Sequence, residues 1–239
     1  MKIIEKVQFE SFNPESYVIA DDISKYLKDT NLKEAYIIMG VFRDEAYEIL
    51  KDSLNVAKEN GVNINFTIGI DRKSTSSELL NDLLELSNNI YIYNNNVQDD
   101  FNAKLYIFKY EDKVEIIIPT TNCTLKGITS DYSNVTKVKF DLPNDEEQYN
   151  DFMYGVKEYI YPDLNVFKLL DDELIEQLAL KRELMTIKGK DNTLPSIEDY
   201  LKKTADMHKK ISDEEVEEKI KEKLSDIIQE FDIQIDDNE

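Results

Sequence analysis

A chain of 239 residues is long enough for one sizeable domain and a smaller extension, and 41% hydrophobic with 33% charged residues is typical of a globular protein. Fifty acidic and 29 basic side chains give a formal charge of −21, which argues against free nucleic acid as the principal partner and against an anionic membrane. The sequence has no signal-peptide pattern, no apolar run of about 18 residues and a single cysteine, Cys123, so we expect a cytoplasmic protein without an internal disulfide.

The segment from residue 34 to residue 94 alternates between strand-like and helix-like patterns. Residues 34–42 (EAYIIMGVF) form an apolar, β-rich run, and residues 43–61 follow with apolar side chains at helical spacing. The same order repeats with a strand over 62–70, a serine-capped helix over 76–89 and a strand over 90–94. Strands separated by helices predict βαβ units and a largely parallel sheet with helices on its faces.

Two more strands follow in quick succession. Residues 103–110 (AKLYIFKY) and 113–120 (KVEIIIPT) are separated only by Glu111 and Asp112, which predicts an antiparallel hairpin. Residues 135–142 (VTKVKFDL) predict a further strand. Residues 144–160 combine an acidic first turn with apolar positions at helical spacing, so we predict a helix there.

The end of the sequence is mostly charged and helix-forming. Apolar stripes at helical spacing run over residues 171–187, 196–211 and 213–231. We predict an α/β domain over residues 1–165 and an acidic helical C-terminal extension over residues 166–239. The last apolar stripe needs a cover, which is either the protein's own core or a helix of a partner.

Three short stretches between residues 101 and 133 form a recognisable pattern. They are FNAKLYIF at residues 101–108, IIPTTNCT at residues 117–124 and GITSDYS at residues 127–133. In order and spacing, residues 34–140 resemble the phospholipase D-like superfamily, particularly its single-motif nuclease branch of restriction and related bacterial systems. The resemblance implies a mixed sheet flanked by helices, and two chains that meet so that their motifs form one site.

The resemblance also implies a phosphate-binding site built from three residues. Lys104 stands where the family has the lysine whose ammonium contacts a phosphate oxygen. Asn122 stands where an asparagine donates to the same phosphate, and Thr124 supplies a hydroxyl beside it. We predict that these three residues bind phosphate.

Four positions depart from the family's pattern. Asn102 replaces the histidine that attacks phosphorus, and Ser133 replaces the acidic residue that orients that histidine. Pro119 replaces the glycine of a Gly-Ser turn, and Asp131 replaces the asparagine of Asn-x-Glu. A carboxamide nitrogen cannot make the attack because its lone pair is delocalised into the carbonyl. The pattern therefore assigns no catalytic residue to this chain.

Two functions are compatible with this mixture of retained and lost residues. The first is a catalytically inactive phospholipase D-like protein that acts as a scaffold or regulatory subunit, either as a homodimer or with another protein. The family's association with bacterial restriction and defence supplies its expected setting. The second is an active, metal-independent phosphodiesterase or nuclease, completed by a partner chain or by different chemistry. Loss of the nucleophile together with its orienting acid favours the first.

Other residues with chemical potential form no recognisable site. The single histidine, His208, has no cysteine or acid at metal-binding spacing, so we predict a surface residue. Acidic runs such as NDEE and DEEVEE stand at helix starts, where the helix dipole and solvation explain them. Cys123 alternates with Asn122 and Thr124 in an expected strand, which predicts that it points into the core. We predict no metal and no cofactor.

Overall fold

The computed structural model describes residues 1–8, 17–70, 75–93, 101–131, 133–164, 166–181 and 184. One sheet contains the strands β1 (Lys2–Gln8), β2 (Glu34–Met39), β3 (Asn63–Gly69), β4 (Asn89–Tyr93), β5 (Lys104–Lys109), β6 (Lys113–Pro119), β7 (Ser133–Asp141) and β8 (Phe167–Leu169). The helices in these ranges are α1 (Ile19–Leu27), α2 (Asp44–Glu59), α3 (Ser77–Leu86), α4 (Leu125–Thr129), α5 (Glu146–Ile160) and α6 (Asp172–Leu180). The predicted class, an α/β fold with a mixed sheet flanked by helices, is confirmed.

The sheet has the strand order β1-β7-β6-β5-β2-β3-β4-β8. β2, β3 and β4 run parallel because α2 and α3 carry the chain back between them. All other neighbouring strands of the sheet are antiparallel, including the predicted hairpin of β5 and β6. The expectation of a largely parallel sheet is therefore wrong, because a link as short as Glu111-Asp112 cannot make the crossover that a parallel pair needs.

Helices cover both faces of the sheet. The larger core lies between one face and the helices α1, α2, α3, α4 and α6, and it contains fully buried side chains such as Leu27, Phe66 and Leu83. The smaller core lies under α5 and includes Ile38, Ile107 and Phe140. Each such side chain contributes roughly 1.5–3 kcal/mol through burial, so these two cores hold the layers together.

Local sequence explains where the predicted helices begin and end. The Ser76 side chain caps α3 by accepting a hydrogen bond from the Leu79 N–H. α2 stops just before Gly61, whose φ of +76° lies in the left-handed region that terminates helices. Of the helices in the described ranges, none combines the length and the apolar character that a membrane crossing requires.

Four described elements, β1, α1, α4 and β8, are not predicted by the sequence patterns. α4 has five residues and β8 has three, which is too short for a periodic signal. β8 pairs with β4, and α6 packs against α3, so residues 167–180 contribute to the sheet and its helical layer. The domain boundary after residue 165 stays a prediction, and the predicted helical stretches 196–211 and 213–231, with His208, lie outside the described residues.

Candidate functional site

The motif residues stand at one edge of the sheet. The parallel strands β2, β3 and β4 all end at this edge. β5 begins there with Lys104, the register partner of Met39 in β2, and β7 begins there with Ser133. β6 ends there at Pro119, opposite Val135. In open α/β sheets, ligands bind beyond the carboxyl ends of the strands, so this edge is where a binding site is expected.

Two glycines let the segment that precedes β5 cross the ends of β2 and β3. A Cβ on Gly40 would lie 2.3 Å from the carbonyl oxygen of Phe101 and 3.0 Å from the Cα of Asn102. A Cβ on Gly69 would lie 2.5 Å from the carbonyl oxygen of Gly40. Both positions therefore require glycine. The Gly40 N–H donates to the Ala103 carbonyl at 2.7 Å, which holds the crossing segment in place.

The ammonium of Lys104 contacts position 102. Its Nζ donates to the side-chain oxygen of Asn102 at 2.5 Å and to the Asn102 carbonyl oxygen at 3.3 Å. Partial burial lowers the pKa of Lys104. Within the described residues no carboxylate forms an ion pair with Lys104, so its charge is balanced only by neutral oxygens.

The connection that follows β6 reaches across to the end of β2. Cys123 forms an isolated parallel bridge with Phe42 there: its N–H donates to the Val41 carbonyl at 3.1 Å, and its carbonyl accepts from the Arg43 N–H at 2.9 Å. The prediction that Cys123 is buried is confirmed. The expectation that it lies within the preceding strand is wrong, because β6 ends at Pro119 and Cys123 pairs with the segment that follows β2.

The Cys123 thiol lies against the phenol of Tyr106, which follows Lys104 by two residues on the same face of β5. Burial raises the pKa of the Cys123 thiol to about 12 and raises the pKa of Tyr106 well above its ordinary value. Both groups are therefore protonated at neutral pH. A protonated, inaccessible thiol is a packing group and not a nucleophile.

Thr124 and Asn122 are half-buried at the start of α4. The Thr124 hydroxyl caps this helix by accepting from the Gly127 N–H at 3.1 Å, and its own hydrogen stays available for donation. Asn122 Oδ1 and Ser133 Oγ are both buried, and neither has a hydrogen-bond partner in the described part of the chain. Buried polar atoms without partners are costly, so both atoms lower the stability of this edge.

Pro119 and Asp131 take part in the connections at the same edge. Pro119 is the last residue of β6, and the Asp131 N–H donates to the Lys126 carbonyl at 2.8 Å directly after α4. The fold thus brings all the motif positions to one edge of the sheet. The assignment of Lys104, Asn122 and Thr124 to phosphate binding stays a prediction.

A second polar cluster lies at the starts of α2 and α3. The Ser76 hydroxyl donates to the Asp44 carboxylate, and the Thr75 hydroxyl donates to the Phe42 carbonyl at 3.2 Å. Burial raises the pKa of Asp44, and the hydrogen bond from Ser76 opposes this shift. The described ranges contain no group of three His, Cys, Asp or Glu side chains that could hold a metal ion. The cluster ties the two helix starts together.

Sequence patterns did not single out one residue at this edge, Arg43. It lies between Phe42 and the first turn of α2, and its side chain is half-buried. Its position could have indicated it, because Arg43 follows a predicted strand and precedes a predicted helix. In a βαβ unit such a residue lies at the end of the sheet where ligands bind.

The sequence matches no protein-family model and no curated protein. Among solved structures, the chain is similar to Nuc, a phospholipase D family member from Salmonella typhimurium, with 15% identity over 72% of this chain and 100% of that one and a TM-score of 0.49. It is also similar to NucT from Helicobacter pylori, with 10% identity, 66% and 98% coverage and a TM-score of 0.43.

A third likeness is to phosphatidylserine synthase from Haemophilus influenzae, with 10% identity and a TM-score of 0.48. It covers 75% of this chain but 44% of the synthase, so the chain spans less than half of that enzyme. At these identities the likenesses concern the fold and do not extend to activity.

Proposed function

We propose that this chain is a phosphate-binding protein of phospholipase D-like architecture that does not hydrolyse phosphodiesters and acts as a scaffold or regulatory subunit. The observation that carries the proposal is the ammonium of Lys104, which is partly desolvated and bonds the amide of Asn102 where the motif would have its nucleophile. A phosphate oxygen is a better acceptor for this ammonium than a neutral amide oxygen, because charge-assisted hydrogen bonds are about twice as strong.

The chemistry of the neighbouring groups supports the absence of hydrolysis. Displacement at phosphorus needs a lone pair aimed at the phosphorus atom, and the Asn102 amide nitrogen has none to offer. The Cys123 thiol and the Tyr106 phenol are buried and protonated. Ser133 has no carboxylate with which to orient an imidazole. The remaining groups at this edge bind and do not attack.

The role as a subunit follows from the motif resemblance. In the single-motif branch two motifs meet in one site, so we propose a homodimer, or a complex with a second protein, in a bacterial restriction or defence system. Sedimentation equilibrium of the purified chain tests the homodimer: a dimer mass supports it, and a monomer at all concentrations favours a different protein as partner.

Calorimetric titration with inorganic phosphate tests the binding site. The informative variant is Lys104→Met, which keeps the length of the side chain and removes its charge. The matched control is Lys113→Met, because Lys113 is also half-buried but begins β6 at the opposite edge of the sheet. We expect Lys104→Met to weaken phosphate binding at least about tenfold, the value of one charge-assisted hydrogen bond, and Lys113→Met to leave it unchanged.

A second assay separates binding from catalysis. The wild-type chain is incubated with a chromogenic phosphodiester and with single-stranded DNA and RNA, with and without EDTA. We expect no turnover in any of these assays. Turnover that resists EDTA and disappears in Lys104→Met would establish the alternative, an active phosphodiesterase, and would end the non-catalytic proposal.

A further inference from the structure

Arg43 is a second cation at the edge of the sheet that carries the motif residues. It is half-buried at the start of α2. Among the described residues its guanidinium finds neither an ion pair nor a hydrogen bond, although the chain has 50 acidic side chains. The guanidinium thus gains no partner from the described part of the protein. Its five donors suit an anion with several oxygens.

Backbone contacts place Arg43 beside Asn122 and Thr124. The Cys123 carbonyl accepts from the Arg43 N–H at 2.9 Å, and Phe42 and Cys123 form a parallel bridge. Side chains alternate along paired extended segments, and those of Phe42 and Cys123 both enter the core. The Cβ atoms of Arg43, Asn122 and Thr124 therefore leave their backbones on the opposite side of this bridge.

The same bridge connects Arg43 to Lys104. The Cys123 side chain contacts Tyr106, and Tyr106 follows Lys104 by two residues, which is about 7 Å along a strand. Cys123 therefore contacts Arg43 through its backbone, and it contacts Tyr106, the neighbour of Lys104 on the same face of β5, through its side chain.

Three cations at this edge lack an ion pair in the described part of the chain. Lys126, on α4, shares with Lys104 and Arg43 the lack of an ion pair within the described ranges. At the opposite edge Lys33, Lys109 and Lys113 each pair with a carboxylate, whereas Lys28 and Lys58 do not pair with any described one. What sets Lys104 and Arg43 apart is that both are half-buried and stand beside the motif residues.

Two carboxylates of α2 follow Arg43 in sequence. Asp44 accepts a hydrogen bond from the Ser76 hydroxyl, and one oxygen of Glu45 is buried without a partner in the described part of the chain. Neither carboxylate approaches Arg43 within ion-pair distance. The charge of the guanidinium is therefore left for a ligand.

We infer that Arg43 binds a second phosphate group, so that the site takes a ligand with two neighbouring phosphate groups and not a single phosphate. The inference rests on the proposed function, since Lys104 must hold the first phosphate. Arg43 supplies two parallel N–H donors to the second. Asn122 and Thr124, which flank Cys123, are the polar side chains nearest to Arg43 in this bridge.

The test compares inorganic phosphate with pyrophosphate by calorimetry at constant ionic strength. We expect wild type to bind pyrophosphate at least about tenfold more tightly, the effect of one bond to a charged group. Arg43→Gln should remove this advantage and change the affinity for phosphate less than about twofold, because only the second phosphate contacts Arg43. Arg43→Lys, which keeps the charge and loses the paired donors, should retain part of the advantage.

The control is Lys28→Gln, which removes an exposed cation directly after the C-terminal end of α1. It should leave the affinities for phosphate and pyrophosphate unchanged. Two more probes separate the sources of paired phosphates: a nucleoside diphosphate and a single-stranded trinucleotide without terminal phosphates. Affinity for either that falls in Arg43→Gln supports the inference and identifies the source. If pyrophosphate, the nucleoside diphosphate and the trinucleotide all bind independently of Arg43, the inference is overturned. Thermal melting of each variant verifies that it is folded.

The outcomes distinguish this inference from the proposed function. Suppose that Lys104→Met loses phosphate binding, while wild type binds phosphate and pyrophosphate equally well. The phosphate site at Lys104 is then supported, and the second phosphate site at Arg43 is disproved. If Arg43→Gln still binds pyrophosphate more tightly than phosphate, the site at Arg43 is likewise disproved. If wild type binds neither anion, the phosphate site itself is disproved and the inference falls with it.

Discussion

Asn102 presents a neutral amide to the ammonium of Lys104. The amide oxygen accepts from the ammonium at 2.5 Å and so takes the place of a ligand oxygen. It brings no negative charge, and the pKa of Lys104 accordingly stays below its ordinary value. A bound anion would displace a weaker acceptor and would raise that pKa.

The lowered pKa of Lys104 predicts a particular pH dependence of anion binding. Only the protonated lysine attracts an anion, and it prevails below its pKa, so affinity should fall as the pH rises through a value lower than the ordinary lysine pKa of about 10.4. Sulfate is the suitable probe because its charge is constant from neutral to alkaline pH. Calorimetry across this range should show the loss in wild type and a flat profile in Lys104→Arg. A wild-type midpoint at or above the ordinary value would contradict the prediction.

We expect a side chain at position 40 to destabilise the fold, because there is no room for one. In Gly40→Ala the new methyl group meets backbone atoms of residues 101 and 102, which cannot rotate away, so we expect a loss of about 1–3 kcal/mol in the free energy of unfolding. Urea denaturation measures it. The control is Gly155→Ala in α5, where no atom lies within 4 Å of the new Cβ and a gain of about 0.5–1 kcal/mol is expected from helix propensity. Equal effects of the two substitutions would contradict the steric explanation.

At the scale of the element, long and strongly periodic segments could be predicted and short ones could not. α2 and α3 follow the sequence pattern because each buries an apolar face and because Ser76 and Gly61 mark a start and an end. α4 and β8 are too short for periodicity to show. Thr124 shows what could not be predicted about the site. The motif suggests that it binds phosphate, but its role as the cap of α4 depends on where β6 ends, which the sequence did not indicate.

Ser76, the cap of α3, makes two hydrogen bonds, so its substitution should lower the free energy of unfolding by the sum of two effects. Ser76→Ala removes the acceptor for the Leu79 N–H and the donor to the Asp44 carboxylate, both in a fully buried position. We expect a loss of about 2 kcal/mol or more, because a missing cap costs about 1 kcal/mol and a half-buried carboxylate loses its partner.

The matched control is Asp171→Ala, which removes only the cap of α6, where the side chain accepts from the Leu174 N–H at 2.7 Å in an exposed position. Its cost should be about 1 kcal/mol or less. Guanidinium denaturation of the three proteins measures both values. A cost for Ser76→Ala no larger than that for Asp171→Ala would show that the bond to Asp44 contributes nothing.

At the scale of the whole molecule, the charge of −21 and the cations at the motif edge act over different distances. The net charge repels a polyanion from afar, whereas unpaired cations attract a small anion at contact. The Debye length is about 8 Å at physiological salt, so a small ligand at the edge is largely screened from the distant carboxylates. The molecule therefore suits compact anions better than long polyanions.

This difference predicts weak binding of long nucleic acids. We expect dissociation constants above about 10⁻⁴ M for a labelled 20-nucleotide single strand and for a duplex at physiological salt, weaker than ordinary non-specific binders. Fluorescence anisotropy measures them, with pyrophosphate as competitor. Micromolar affinity that falls steeply with added salt would show that a basic surface overrides the net charge.

The crowding of Gly40 and Gly69 against the segment before β5 has a consequence for substitutions at residue 102. These contacts are made by backbone atoms, so they set the height of residue 102 above the sheet whatever side chain it carries. A substitution at position 102 therefore changes the chemistry of its side chain, while the backbone that carries it stays fixed by these contacts.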